Sequence, residues 1–256
     1  LSALTGENVS SVNGYLKALR SRREFFKSKG ATATDHGHPT AYTYDMSKTQ
    51  LQTFLDKALK GKLESFQAEL FRAAMLVEMA KMSLDDGLVM QIHPGSHRNH
   101  NLSLFKTHGR DVGADIPRST EFTASLKALL NKVGNEKEMK IIIFTLDETR
   151  YSTELAPLAG HYPALKLGPA WWFHDSFEGM MRYRERTMET AGFYNTVGFN
   201  DDTRAFFSIP ARHDVARRVD CHFLSRLVLE HRLTEKAAHK LIQDLTYHLP
   251  KKAYNL

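Results

Sequence analysis

The chain has 256 residues, 42% of them apolar and 25% charged, with a formal net charge of +6. This length suits one large α/β domain, and the single cysteine, Cys221, excludes an internal disulfide and fits a reducing compartment. No apolar run approaches the roughly 20 residues of a membrane span, no secretory pattern opens the chain, and Leu1 in place of Met points to processing or an excised fragment.

In chain order, Ser10 or Ser11 is placed to cap a helix running to about Lys29, with Tyr15, Leu16, Leu19 and Phe26 on one side and Gly30 ending it. The run ATAT, 31–34, reads as a short strand pointing into the loop Asp35-His36-Gly37-His38-Pro39. Two helices follow at 47–60 and 63–84; in the second, Phe66, Leu70, Ala73, Val77 and Ala80 recur at helical spacing. LVMQIH, 88–93, is an uninterrupted apolar run ending in His93, as expected of a strand buried on both faces, and the polar loop GSHRNHN follows it. An amphipathic helix is predicted over 118–133 and a strand over 139–148. A further strand is predicted at 164–175, a helix at 177–191, a last strand at 193–204, and helices from about 212 to 247.

Strand, polar loop and helix alternate, which implies βα units and a mainly parallel sheet. Each predicted strand delivers an ionisable residue at its C-terminal end: His36, His93, Asp147, His174 and Asp202. In α/β folds successive βα loops converge at that end, so the pattern points to one shared polar site.

Within it, His36 and His38 have the spacing of two ligands on one strand face, although Gly37 and Pro39 favour a turn; Asp35 suits the orientation of a histidine. Asp202 and Arg204 point the same way if the backbone is extended, as a carboxylate beside a clamp for an anion or simply as a local ion pair. Trp171 and Trp172 read as core or as a wall for a sugar ring. Arg98 and Asn101 read as donors for hydroxyls and carboxylates or as a polar turn. The basic runs Arg20/Arg22/Arg23 and Arg182/Arg184/Arg186 read as solvated helix faces, and Cys221 as helix packing. The positive charge suits an enzyme for small anions as well as a nucleic-acid binder.

The segments GATATDHG (30–37), VMQIHPGSHRNHN (89–101), GPAWWFHD (168–175), GFNDDTRAF (198–206) and RHDVARR (212–218) together resemble the uronate (glucuronate) isomerases of the amidohydrolase-like superfamily. The resemblance runs over nearly the whole chain. It implies interconversion of D-glucuronate and D-fructuronate, and of D-galacturonate and D-tagaturonate, by a cytoplasmic, homo-oligomeric enzyme of sugar-acid breakdown, with no nucleic-acid or membrane partner. It implies a distorted β/α (TIM-like) barrel of the metal-dependent hydrolase type, with 47–84 a helical insertion and 212–256 the C-terminal helices. Members of this family are nearly twice as long, so residues 1–256 resemble the C-terminal half of one barrel domain whose N-terminal half is missing.

By the same resemblance Asp202, Arg204 and His36 are catalytic, Asp202 also being a ligand of one divalent metal ion, zinc by expectation, whose two histidine ligands lie outside this chain. Arg98, Asn101, Trp171, Trp172 and His174 are substrate-binding, and the base for the C2 proton is a tyrosine of the missing half. His36-Gly37-His38 is not the family's paired-histidine motif; only His36 corresponds to a family residue. A hydrolase of the same superfamily and a basic non-catalytic binding module are the competing readings.

Overall fold

The computed structural model describes residues 1–203 and 205–256. A short α1 (Ser2–Thr5) precedes α2 (Val12–Ser28), where the Ser11 side chain accepts the Gly14 amide and so satisfies one of the unpaired donors of the first turn. After β1 (Ala33–His36) come α3 (Lys48–Leu59), opened by a reciprocal Ser47–Gln50 capping box, and α4 (Ser65–Asp86), stopped by Gly87 at φ 76°. β2 (Val89–Ile92) leads into an excursion of β3 (Ser96–His97), α5 (Leu102–His108) and β4 (Ile116–Pro117). Then follow α6 (Lys127–Val133), β5 (Ile141–Ile143), a π-helical turn Tyr151–Leu155 running into α7 (Ala156–His161), and β6 (Leu165–Leu167). The chain finishes with α8 (Phe177–Thr187), α9 (Ile209–Leu229), α10 (Glu235–Gln243) and α11 (Leu249–Ala253). None of the helices is long and apolar enough to cross a membrane.

The main sheet is parallel throughout, in the order β1-β2-β5-β6, while β3 and β4 form a separate antiparallel ribbon. Parallel neighbours need crossovers, and α4, α6 and α7 lie on the chain between successive strands of the sheet. Alternation along each strand divides the side chains between two faces. Met90, Ile92, Ile141, Ile143, Leu165 and Leu167 join the main core with Leu76, Val77, Leu129, Leu130, Leu155 and Phe223. Val89, Ile142 and Phe144 face the other way, where Val197, Ala253 and Tyr254 cover them. Because Leu76, Val77 and Ala80 of α4 belong to the main core, the second half of the segment 47–84 is part of the α/β layer itself; α3 packs outside it, with Leu51 and Leu55 in a smaller cluster around Val12 and Ala74.

Five expectations need correction. The helix expected over 118–133 begins only at Lys127. Upstream, the Glu154 carboxylate accepts the Phe122 and Thr123 amides and the Glu121 carboxylate accepts those of Ala124 and Ser125, so these donors are bound by side chains in a turn instead of entering a helix. The strand expected over 164–175 ends at Leu167 and gives way to a 3-10 turn, Trp172–His174. The strand expected over 193–204 is one parallel bridge, Leu167 with Thr196, after which Gly198 turns at φ 76° with no room for a side chain against the Leu245 carbonyl. Finally, the basic runs are not merely solvated. Arg23 is buried and grips both oxygens of Asp86 (2.6 and 2.9 Å) and the Ser83 hydroxyl (2.9 Å). Arg184 is buried and grips Asp220 through two bonds (2.7 and 2.9 Å) with Thr196 beside it. Cys221, expected as packing, is exposed.

Candidate active site

A cleft of about 610 Å³ opens at the C-terminal ends of β1, β2, β5 and β6. Strand parity decides which residues enter it. Asp35 and Gln91 stand in register on neighbouring strands and both line the cleft, with His93 just past the end of β2. The Asp35 carboxylate meets His93 Nε2 at 2.7 Å, with His93 largely enclosed and Asp35 open to solvent. Gly37 makes room for this pair: a Cβ there would come within 2.6 Å of His93 Cε1.

The far wall is aromatic. Trp171 meets His93 edge-on with ring centroids 5.3 Å apart, packs near Phe144, and donates its indole N–H to the Asp202 carboxylate at 3.1 Å. Trp172 has the left-handed φ of 54°, unusual for a bulky residue and a sign of a backbone held by its surroundings. Arg98 lies over the Trp172 ring at 5.3 Å and donates to Asp115 (2.7 Å), a buried carboxylate that also accepts the Asn99 amide. On the third side Arg212, near the start of α9, bonds Asp201 (2.6 Å) and Asp175 (2.5 Å), tying the loop after β6 to the loop that carries Asp202.

Of the residues expected from the sequence, Arg98, Trp171, Trp172 and Asp202 line this cleft together, with His93. His36, Asn101 and His174 do not line it. His36 alternates to the opposite face of β1, where its Nε2 lies 3.1 Å from the Thr34 hydroxyl. Burial there, with the neighbouring His38 and Arg23 charges, pulls its pKa down to about 4. Asn101 caps α5, its side-chain oxygen accepting the Ser103 and Leu104 amides. His174 is buried behind the aromatic loop, 3.0 Å from the Tyr151 hydroxyl, and burial lowers its pKa. Asp147 holds Thr149 and Arg150 instead of facing the cleft. Arg204 lies outside the described residues. The cleft carboxylates Asp35, Asp175 and Asp201 are each one sequence position from the strand-end residues His36, His174 and Asp202; strand parity is the signal that finds Asp35.

Among the described residues no three His, Cys, Asp or Glu side chains converge as a metal site. Asp202 offers a single carboxylate in the cleft, so the residues present do not by themselves make up the site of the expected divalent ion.

The family model for glucuronate isomerase matches residues 1–254. The chain belongs to the glucuronate isomerase family. Among its relatives, a uronate isomerase of Caulobacter vibrioides (strain NA1000 / CB15N) is 66% identical over 252 residues, covering 98% of this chain and 52% of that protein. A uronate isomerase of Phenylobacterium zucineum (strain HLK1) is 65% identical over 99% of this chain and 53% of its own length. The chain thus spans about half the length of the curated relatives it matches. Solved structures give the same frame. A glucuronate isomerase from Caulobacter crescentus superposes with TM-score 0.97 at 64% identity, over 99% of this chain and 53% of that one. A uronate isomerase from Thermotoga maritima superposes with TM-score 0.93 at 30% identity, over 99% of this chain and 56% of that one. Thus the glucuronate isomerase fold carries the parallel sheet and the cleft described above.

Proposed function

We propose that this chain supplies the C-terminal half of a cytoplasmic, homo-oligomeric aldose–ketose isomerase for uronate sugars, interconverting D-glucuronate with D-fructuronate and D-galacturonate with D-tagaturonate. The observation that carries the reading is the Asp35–His93 pair, 2.7 Å apart, in one cleft with Asp202 and the Trp171–Trp172 wall. The relatives named uronate isomerase support it.

The reaction removes a proton from C2 of the aldose, passes through an enediol and returns a proton to C1, while a hydroxyl proton moves from O2 to O1. It needs a group that takes and gives protons near neutral pH and a setting that stabilises the enediolate. An imidazole oriented by a carboxylate can pass a proton on, and His93, held by Asp35, is placed for that role beside the tyrosine base expected outside this chain. Asp202, which lines the cleft and is held by the Trp171 indole N–H, serves as the single metal ligand from this chain, zinc being the expected ion. Arg98, stacked on Trp172, binds the sugar carboxylate at the rim, and Arg204 shares in substrate binding or enediolate stabilisation. The remaining metal ligands and the tyrosine base are expected outside residues 1–256. In this reading residues 1–256 are part of one distorted β/α barrel, with α4 as a crossover of its sheet and 212–256 as its closing helices.

The test is complementation. The chain is joined to the complementary half of the Caulobacter uronate isomerase and assayed with D-glucuronate beside a panel of esters and lactones. Formation of D-fructuronate is expected. Hydrolysis of the panel without isomerisation, in a correctly folded chimera, would overturn the reading.

A further inference from the structure

Gln91 is the one polar side chain of β2, and it points into the cleft between Asp35 in register on β1 and the apolar Ile142 on β5. Its amide is not left to choose its own orientation. The Tyr254 hydroxyl, three residues from the end of the chain, donates to Gln91 Oε1 at 2.6 Å. Tyr254 is set there by its ring, which packs with Ala253 against Val89, Ile142 and Phe144, and by Asn255, whose amide nitrogen donates to the Gly87 carbonyl at 3.2 Å. Burial, and then the Asp35 charge, push the phenol pKa up, so the group stays protonated and remains a donor.

A glutamine side chain has an acceptor end and a donor end, and a fixed partner for one sets the direction of the other. With Oε1 taken by Tyr254, the Nε2 amide turns its two N–H groups away from the tail, and no partner holds them among the described residues. Asp35, the nearest acceptor in register, is already bonded to His93 through one oxygen. The cleft therefore contains an oriented neutral donor in its lining, level with Asp35 on the neighbouring strand.

We propose that Gln91 is a ligand-binding donor of this cleft, taking a hydroxyl or carbonyl oxygen of the sugar acid, and that Tyr254 is its positioning residue. This rests on the uronate reading of the cleft. A neutral donor suits the uncharged part of a sugar acid, since an arginine already serves its carboxylate at the rim. The C-terminal tail thereby acts on the site through one hydrogen bond.

The test is titration with D-glucuronate of the 256-residue chain, isotope-labelled and joined to the complementary half of the Caulobacter uronate isomerase, followed by NMR at the Gln91 side-chain amide. The amide pair is expected to shift with ligand. Gln91→Leu is expected to raise the dissociation constant about ten-fold, the scale of one lost hydrogen bond. Tyr254→Phe keeps the ring packing but releases the amide, and is expected to raise it about three-fold in the wild-type chain and not at all on top of Gln91→Leu. A purely structural tail would give additive effects or none on binding, which would overturn the positioning role. Equal affinity of Gln91→Leu and wild type would overturn the donor role. If Gln91→Leu fails to fold, as judged by thermal unfolding, Gln91→Glu replaces it: a carboxylate beside Asp35 is expected to abolish binding at pH 7, and retained binding would overturn the proposal. No binding of D-glucuronate to the folded wild-type chimera would remove the uronate reading and this inference together, whereas binding unaffected by the variants removes the inference alone.

Discussion

The single residue with the most leverage on the cleft is Gly37. Its missing side chain leaves the space that the His93 ring fills, so Gly37→Ala forces that ring to move by a few tenths of an ångström or more. We expect the Asp35–His93 bond to break while the fold persists, read as moved His93 ring resonances by NMR and at least a ten-fold loss of turnover in the complemented enzyme. His36, one position away, governs stability instead. Its imidazole takes a proton at about 4 in the folded chain and near 6.5 when unfolded. Between those values the unfolded state binds more protons, so stability rises with pH across this window; it is complete above about 6.5 and is lost as pH falls toward 4. At about 1.4 kcal/mol per unit the contribution is on the order of 3 kcal/mol. Urea unfolding at pH 4.5 and pH 7 should show this loss, and His36→Gln should shrink it. An equal pH dependence in the variant would contradict the assignment.

At the scale of elements, α8 and α9 are joined by an ion pair buried from solvent. Arg184 on α8 and Asp220 on α9 share two hydrogen bonds, and Thr196, at the bridge to β6, closes the group. Removing one partner leaves a buried charge alone, so Asp220→Ala is expected to cost about 3–5 kcal/mol in chemical denaturation. A replacement of both residues by apolar side chains of matching size should recover much of that. By contrast Arg218→Ala, which removes an exposed pair with Asp214 on the same helix, should leave the unfolding midpoint unchanged. The loop between β6 and α8 is fixed in a different way. His174 and Tyr151 anchor it from behind, and Arg212 anchors it to the loop carrying Asp202. Trp171→Phe removes only the indole donor to Asp202, and a fall in turnover of the complemented enzyme without a change in unfolding midpoint is the expected result.

For the whole molecule, the chain was expected to resemble one half of a longer domain, and its family relatives are about twice the length it covers. The parallel character of the sheet, most of the helices and a polar cleft at the strand C-termini were legible in the sequence. Each depends on local chemistry: apolar β-branched runs such as Ile141–Ile143, capping serines such as Ser11 and Ser47, and polar loops placed after the runs. Arg98, Trp171, Trp172 and Asp202, left open by spacing alone and singled out by the family resemblance, all line the cleft.

What only the tertiary structure decided is which member of each polar run faces the cleft. A strand end shifts by a residue without changing the composition around it, yet that shift reverses every side chain. β1 extends through His36, so Asp35 enters the cleft and His36 is turned to the other side. Long-range contacts were equally invisible. Glu154 bonding the amides before α6, Asp86 meeting Arg23 across 63 positions and Tyr254 reaching Gln91 across 163 follow no local period. The sequence by itself determined the elements and the end of the sheet that carries the chemistry, because propensity and hydrophobic spacing act over a few residues. Packing decided the orientation of the groups there, because it depends on neighbours far away in the chain.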